Sequence, residues 1–402
     1  MNNFFYLKDS NTFTEINNCI ILNPVLRFLK KKITKFDINE SINLAKSISL
    51  NVKFTKTINI KKPTPSLFFG KGQINEFKIY LKNYSSKLIL INTQISPIQQ
   101  RNLELALNCK ILDRTGLILE IFGRRAVTKH GKLQVEFASL SYQKSRLVRS
   151  WTHLERQRGG FGFMGGPGER QIESDKRQIN QRIFKIKKEL KKIESNKKIQ
   201  RRNRNKNLNP FVSIVGYTNA GKSTFFNYLA NENIYAKNQL FATLDTTMRK
   251  VYLANNKKHL ILSDTVGFIT NLPTELVVSF KTTLDEINFS HYLLHVIDIS
   301  NPEWEKQKEI VEKILSTILA EEYNQNKIIE VWNKSDLLNK KQYSYFYNLS
   351  KRKENVLLFS SKFRKGRENF IKLINKKLEK DKKFFLFNFS SSTNSKKIKS
   401  LL

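Results

Sequence analysis

The stretch from Gly216 to Thr224, GYTNAGKST, constrains the fold of this chain most strongly, because it matches the phosphate-binding P-loop pattern G-x-x-x-x-G-K-[ST]. The apolar, β-branched run 211–215 before it predicts a buried strand, and the run 224–230 after it predicts a helix. Glycines at such a turn let backbone N–H groups close on phosphate oxygens, and the helix dipole favours negative charge there. The stretch therefore predicts a phosphate site at a strand-to-helix turn.

The P-loop pattern also assigns chemistry to single residues. We expect the amine of Lys222 to neutralise the β- and γ-phosphates and the hydroxyl of Ser223 to ligate Mg²⁺. The loop residues expected to surround the phosphates are Gly216, Tyr217, Thr218, Asn219, Ala220, Gly221, Lys222 and Ser223. A chance match in a Gly/Lys-rich loop is the alternative, and further motifs that follow in the right order argue against it.

Length and composition bound the class of protein. A chain of 402 residues predicts two or three domains, and 40% hydrophobic residues are enough for buried cores. Two cysteines exclude a disulfide framework, and we find neither a membrane-spanning run nor a signal pattern, so we expect a cytoplasmic protein without a membrane span. The net charge of +38 fits a nucleic-acid partner, but also the Lys/Asn/Ile/Phe bias of an AT-rich genome.

An alternating strand and helix pattern predicts a small α/β domain over residues 1–130. The pair Ser96-Pro97 is typical of an N-cap followed by the first helical residue, and it predicts a helix as far as about Leu107. Residues 1–50 show no clear pattern. We interpret Phe69–Gly72 as a turn, since its glycines lack the spacing of a phosphate loop.

Two heptad seams predict an antiparallel helical hairpin over residues 131–209, including a polar linker. Between the seams lies the segment 159–168, whose six glycines and one proline cannot continue either helix. Helical arms of about 25 residues would reach roughly 35–40 Å. The seam positions are Leu133, Leu140, Leu147 and Leu154 on the first helix and Ile172, Ile179, Ile186 and Ile193 on the second.

The hairpin is the most basic part of the chain. Residues 141–208 contain 20 Lys/Arg and 6 Asp/Glu, a local net charge of +14. The tip adds Phe161, Phe163 and Met164 to its glycines. A basic arm that ends in exposed backbone and aromatic rings suits insertion among phosphates and bases. A solvated coiled coil with a flexible turn is the alternative, and the apolar tip favours the RNA-binding interpretation.

Alternating strands and helices over residues 210–380 predict a doubly wound sheet, followed by a polar tail over 381–402. The candidate strands are 211–215, 249–254, 259–263, 292–298, 327–332 and 355–360. Nucleotides bind at the carboxyl ends of such strands. The strand 259–263 is followed by a D-x-x-G motif, formed by Asp264, Thr265, Val266 and Gly267. We expect its carboxylate to enter the Mg²⁺ shell and its glycine N–H to approach the γ-phosphate.

A second motif, Asn333-Lys334-Ser335-Asp336, predicts that the base is guanine. Asp336 can accept hydrogen bonds from guanine N1–H and the exocyclic amine, a donor pair that adenine lacks. Lys334 can pack along the base, and Asn333 can connect this loop to the P-loop. The last strand ends at Ser360, Ser361 and Lys362, whose backbone N–H groups can meet guanine O6.

The segment between the P-loop and the D-x-x-G motif should supply a threonine to Mg²⁺ when the γ-phosphate is present. Thr243, Thr246 and Thr247 are all available, and spacing alone does not choose among them.

Catalysis is then attack of water on the γ-phosphate, helped by Lys222, Mg²⁺ and loop amides such as that of Gly267. Ras-like proteins have a water-orienting Gln directly after D-x-x-G, whereas this chain has Phe268. We therefore expect slow hydrolysis by the isolated protein and stimulation by a partner.

With these motifs in place, the chain resembles the HflX family of ribosome-associated GTPases from about Phe69 to Leu378. The resemblance rests on the co-occurrence of residues 96–104, 113–119, 131–136, 151–158, 166–169 and 171–175 with the motifs at Gly216, Phe241, Asp264 and Asn333. It implies an α/β fold in which a P-loop GTPase domain follows a small α/β domain and an antiparallel helical hairpin.

The resemblance also implies a function and several site residues. It implies binding to the large ribosomal subunit, with the glycine tip near the peptidyl-transferase region, and splitting or rescue of stalled or stressed ribosomes. It assigns Thr243 and Ser223 as Mg²⁺ ligands within the nucleotide-binding segment Phe241, Ala242, Thr243, Leu244 and Asp245. Phe268 matches the family, whereas Thr246 stands where members often have Pro. Many members also continue into a small C-terminal domain.

Two other functions remain open at this point. One is a non-enzymatic RNA-binding protein that is switched by GTP, and the other is an ATP-dependent RNA-remodelling enzyme. Whichever of these functions the protein has, we expect a monomer.

Overall fold

The computed structural model describes residues 18–26, 34–157, 167–206, 209–230, 241, 247–253, 258–270, 273, 276, 279, 286–319 and 324–380. These residues divide into two compact units. The first unit contains the described residues as far as Ile199 and, in addition, five residues from later in the chain: Phe241, Thr270, Pro273, Leu276 and Ser279. The second unit contains the other described residues.

The first unit is built on a parallel four-stranded sheet in the order β2-β1-β3-β4. Its strands are β1 Asn18–Leu26, β2 Asn51–Ile60, β3 Leu88–Ile91 and β4 Lys110–Asp113, and its helices are α1 Lys35–Ser47, α2 Lys71–Asn83, α3 Pro97–Leu107 and α4 Arg114–Arg125. All four residues of β3 are buried, as is typical of a parallel strand covered on both faces.

The helix predicted after Ser96 is confirmed. The Ser96 hydroxyl accepts a hydrogen bond from Gln99 N, Gln99 Oε1 accepts one from Ser96 N, and Pro97 is the first helical residue. The interpretation of Phe69–Gly72 as a turn is wrong, because Gly70 is the N-cap of α2 and the two residues after it are helical. Both β1 and α1 lie within residues 1–50, where the sequence shows no clear pattern.

The predicted hairpin is confirmed by two long helices, α5 Lys129–Gln157 and α6 Pro167–Lys206. Leu133, Leu140 and Ile186 are buried in one cluster along the seam. The partly buried residues packed on this cluster are Phe137, Ile179, Ile183, Leu190 and Ile193.

Ion pairs also join the two arms of the hairpin. Arg182 meets the Glu136 carboxylate through both Nε and NH2, at 2.5 and 3.0 Å. Residues 158–166, and with them most of the predicted glycine tip, lie outside the described residues, as do the side chains of Leu147, Leu154 and Ile172.

The second unit contains a six-stranded sheet in the order β10-β9-β8-β5-β7-β6. Its strands are β5 Phe211–Gly216, β6 Thr247–Leu253, β7 Lys258–Asp264, β8 Tyr292–Asp298, β9 Ile328–Asn333 and β10 Val356–Leu358. Its longer α-helices are α7 Lys222–Ala230, α8 Trp304–Leu319, α9 Lys340–Arg352 and α10, residues 367–380. Gln325–Lys327 and Ser335–Leu337 form single 3₁₀ turns.

One strand departs from a wholly parallel sheet. β6 pairs antiparallel with β7, whereas the other neighbours pair in parallel. The physical reason is the length of the connection, since four residues separate β6 from β7 and a parallel crossover needs a dozen or more.

The strands β5, β7, β8 and β9 end at the same edge of the sheet, and the predicted nucleotide motifs lie at this edge. Within the described ranges, no helix has both the length and the hydrophobicity required to cross a membrane.

Candidate nucleotide-binding site

The P-loop lies at the predicted junction, since β5 ends at Gly216 and α7 begins at Lys222. Gly216 has φ +152°, and a Cβ there would lie 2.3 Å from the carbonyl oxygen of Val296 on β8. Gly221 has φ +91°, and a Cβ there would lie 2.4 Å from Asn333 Nδ2. Both positions therefore need glycine, because neighbouring atoms approach the backbone too closely for a side chain.

Lys222 is buried at the start of α7, with 7% of its surface exposed. Its Nζ donates a hydrogen bond to the carbonyl oxygen of Tyr217 at 2.7 Å. Burial lowers the pKa of the Lys222 amine to about 8, and the nearby Asp264 carboxylate opposes that shift. A Cβ on Gly267 would lie 2.9 Å from Lys222 Nζ, so this glycine keeps space open beside the amine.

Two oxygen groups suited to Mg²⁺ meet beside the amine. Ser223 Oγ donates a hydrogen bond to Asp264 Oδ2 at 2.8 Å, which joins the first turn of α7 to the end of β7. Hydroxyl and carboxylate oxygens are the hard ligands that Mg²⁺ prefers. Within the described residues, no cluster of three or more His, Cys, Asp or Glu is placed to hold a metal.

Hydrogen bonds hold the D-x-x-G segment against the P-loop and the strand before it. Phe268 N donates to Gly216 O at 3.1 Å, and Thr218 N donates to Phe268 O at 2.8 Å. Thr265 Oγ1 donates to Ile214 O at 2.6 Å. The Phe268 side chain is 1% exposed and Val266 is buried, so neither side chain offers a polar group to a water at the site.

Asn333 connects three loops through one amide side chain. Its Nδ2 donates to the carbonyl oxygen of Ala220 in the P-loop at 2.9 Å. Its Oδ1 accepts hydrogen bonds from Ser361 N at 3.1 Å and from Ser361 Oγ at 2.8 Å. The structure thus brings together the P-loop and both predicted base-recognition motifs.

The other base-recognition residues lie in the same loops. Asp336 Oδ1 accepts a hydrogen bond from Ser360 Oγ at 2.5 Å, and Ser335 N donates to Phe359 O at 3.2 Å. Lys362 Nζ lies 5.6 Å from the ring centroid of Phe363.

Sequence reasoning missed one residue of the site, Asp298, which pairs with Lys334. Lys334 has φ +62°, and its Nζ lies 2.6 Å from Asp298 Oδ2. Asp298 is the last residue of β8, the strand between β5 and β9, and this position at the carboxyl edge is the signal that could have identified it.

Phe241, a predicted nucleotide-binding residue, lies in the first unit. It has φ +54° and is 2% exposed, and its ring centroid is 4.6 Å from that of Phe122 on α4. The predicted residues that follow it, Ala242, Thr243, Leu244 and Asp245, lie outside the described residues, as does Thr246.

Glu40, Arg114 and Thr270 form a buried ionic cluster in the first unit. Thr270 comes three positions after Gly267 in the chain. Arg114 NH2 lies 2.6 Å from Glu40 Oε2 and 2.8 Å from Thr270 Oγ1. Thr270 Oγ1 also donates to Glu40 Oε2 at 2.5 Å, and Arg114 NH1 donates to Asn92 Oδ1 at 2.7 Å. The Arg114 and Glu40 side chains are 7% and 4% exposed, so the ion pair is almost entirely removed from water.

Comparison with known families matches most of the described chain, as far as residue 334. Residues 35–123 match the family described as GTP-binding GTPase N-terminal, and residues 125–204 match GTP-binding GTPase Middle Region. Residues 211–334 match 50S ribosome-binding GTPase.

Named relatives extend over most of the chain. GTPase HflX of Magnetococcus marinus is 48% identical over 318 residues, which is 78% of this chain and 73% of that protein. GTPase HflX of Escherichia coli is 44% identical over 302 residues, 75% of this chain and 70% of that protein. A solved structure, SsGBP in complex with GDP, is 24% identical, covers 90% of this chain and 98% of its own, and has a TM-score of 0.50, which supports the fold alone.

Proposed function

Since the chain belongs to the HflX family of GTPases and hydrolyses GTP, we propose that it acts on the large ribosomal subunit and splits or rescues stalled or stressed ribosomes. The observation that carries the proposal is the α5–α6 hairpin. It has a net charge of +14 and belongs to the same chain as the nucleotide-binding site. Basic, extended elements gain affinity for folded RNA from its phosphates.

The domain division supports a separate RNA-binding arm. We propose an N-terminal α/β domain over 1–130, the hairpin and linker over 131–209, the GTPase domain over 210–380 and a polar tail over 381–402. The three family matches, over 35–123, 125–204 and 211–334, fall within the first three of these ranges, apart from a short overlap at residues 125–130.

Within the GTPase domain, Ser223 and Thr243 would hold Mg²⁺, with the Asp264 carboxylate beside it. The bound ion supplies positive charge to the β- and γ-phosphates of GTP. The chain's own contribution is the Lys222 amine, together with backbone N–H groups of the P-loop and of Gly267, placed where charge develops on the transferred phosphoryl group.

We propose that the base is selected by Asp336, assisted by Asn333, Lys334, Ser335, Ser360, Ser361 and Lys362. The Asp336→Asn variant is expected to bind GTP about 10- to 100-fold more weakly, because a hydrogen bond to a charged group is worth about 1.5–3 kcal/mol. The same variant should prefer xanthosine nucleotides, whose base offers an acceptor to the new amide. Fluorescent-nucleotide titration measures both effects, and unchanged GTP affinity would contradict this assignment.

The decisive experiment on function compares GTP turnover with and without purified large ribosomal subunits. Because Phe268 cannot orient water, turnover by the isolated protein should stay well below the several per second of a partner-stimulated GTPase. Large subunits should raise it. Replacing residues 159–168 by a Gly/Ser stretch of equal length should remove the stimulation and weaken co-sedimentation, while the slow basal turnover stays unchanged.

Other outcomes would select the rival functions. Ribosome binding that depends on GTP without any stimulation of turnover would favour a non-enzymatic switch. RNA-stimulated turnover of ATP in preference to GTP would favour an RNA-remodelling ATPase. Full stimulation of the variant with the replaced tip would contradict the role of the hairpin.

We further propose a monomeric, cytoplasmic protein. The two cysteines, Cys19 and Cys109, are not bonded to each other, and burial raises the pKa of each thiol to about 12. Thiols held in this way are unreactive, and free thiols suit a reducing compartment.

A further inference from the structure

A cavity of about 580 Å³ lies in the second unit next to the base-recognition residues. Asp336 and Ser360 form one part of its wall. Ser335 of the same base motif also lines it, and the rest of the wall comes from α9, β10 and the chain around the start of α10. We call this cavity the aromatic pocket and define it by five of its lining residues: Tyr343, Tyr347, Lys351, Phe363 and Lys365. Its volume lies within the roughly 300–1,000 Å³ of small-ligand sites.

The aromatic residues that line the pocket are exposed. Tyr343 and Tyr347 are 44% and 41% exposed, and Phe363 is 59% exposed. The two tyrosines lie one turn apart on α9, with an angle of 12° between their rings and 6.1 Å between centroids. We call these two parallel rings the tyrosine strip, and exposed aromatic rings are surfaces on which planar bases stack.

The charge around the pocket is strongly positive. Lys351 Nζ lies over one face of the Tyr347 ring, 4.4 Å from its centroid, so a cation is placed directly beside the tyrosine strip. Residues 340–368 contain nine Lys/Arg and two Asp/Glu, a net charge of +7. Such a surface attracts phosphates and repels basic partners.

We propose that the aromatic pocket binds an unstacked base of single-stranded RNA, with the flanking phosphates on Lys351 and Lys365. Stacking on the tyrosine strip is tolerant of sequence because every base has a π-face. An acidic peptide would use the lysines but would gain little from three exposed rings, so the observations favour RNA. The proposal rests on the proposed function, in which ribosomal RNA is the partner, and adds a second contact outside the hairpin.

The test uses the full chain and a short single-stranded oligouridylate that contains 4-thiouridine. Tyr343→Leu/Tyr347→Leu should weaken its binding on the order of tenfold, because stacking is lost while the helix stays apolar there. Tyr343→Phe/Tyr347→Phe keeps both rings and should bind like the wild type. Photocrosslinks should map to residues 340–351 or to Phe363 in the wild type and should disappear in the leucine variant.

A matched control is available on the same helix. Tyr345 is 63% exposed and does not line the pocket, so Tyr345→Leu should leave oligonucleotide binding unchanged. GDP affinity of the double leucine variant should also be unchanged, and a loss of GDP binding would overturn the proposal by assigning the pocket to guanine. Binding that is unaffected by the leucines but lost in Lys351→Glu would overturn it in favour of an acidic partner.

The oligonucleotide assay needs no ribosome. A wild-type protein that binds the oligonucleotide through the pocket but not the large subunit would refute the proposed function alone. Large-subunit binding without any pocket crosslink would refute the pocket alone.

Discussion

Replacing Arg114 by alanine is expected to destabilise the first unit by about 3–5 kcal/mol, since it leaves the Glu40 carboxylate buried without its ion-pair partner. The same change removes the guanidinium contacts with Asn92 and Thr270. Urea unfolding gives the change in the free energy of unfolding, and hydrogen exchange in α1 and α4 shows whether the loss is confined to this unit.

Two further variants make the Arg114 result interpretable. Lys198→Ala removes a largely exposed ion pair with Glu194 in the same unit and should cost only about 0.3–0.5 kcal/mol. Arg114→Met combined with Glu40→Leu should cost less than the sum of the two single changes, because no charge is then left buried alone. Strictly additive losses would show that the pair does not interact as its 2.6 Å separation indicates.

Replacing Lys222 by alanine should lower GTP turnover by about 10²–10³-fold, the usual effect of removing one group that stabilises charge in a transition state. The amine sits beside the space that Gly267 keeps open, with Tyr217 O as its neighbour. Single-turnover hydrolysis at saturating GTP measures the loss. Lys362→Ala, a change to a mostly solvent-facing lysine of the base loop, should retain most of the turnover.

The lowered pKa of the Lys222 amine also predicts how GDP affinity depends on pH. Below pH about 8 the amine is already charged when nucleotide arrives. Above that pH it must take up a proton to meet the phosphates, so GDP affinity should fall as pH rises through this range. The alanine variant should lose this part of the pH dependence, and an identical profile in both proteins would contradict the role of the amine.

Local patterns in the sequence were sufficient for most of the architecture. The P-loop turn is fixed by Gly216 and Gly221, whose positions tolerate no Cβ, and such positions leave a readable motif. The heptad spacing of Leu133 and Leu140 predicted the packed seam of the hairpin. These features were predictable because each depends on residues close together in the chain.

Features that depend on residues distant in the chain were not predictable. The cluster of Glu40, Arg114 and Thr270 joins positions up to 230 residues apart, and no local spacing marks it. The partnership of Lys334 with Asp298 depends on β8 lying beside β9, which only the strand order reveals. Gly70 was missed for a different reason, since its capping contact is local: Gly70 N donates a hydrogen bond to Gln73 Oε1, but a glycine has no side-chain oxygen that would mark it as an N-cap as Ser96 is marked.

The bonds of Asn333 have a consequence for nucleotide exchange. The amide of Asn333 is bonded to Ala220 of the P-loop and to Ser361 of the base loop at once, so we expect the phosphate surface and the guanine surface to become ordered together. A ligand that contacts only the base should then also order the P-loop. GDP release is expected to require both loops to move, because one side chain couples them.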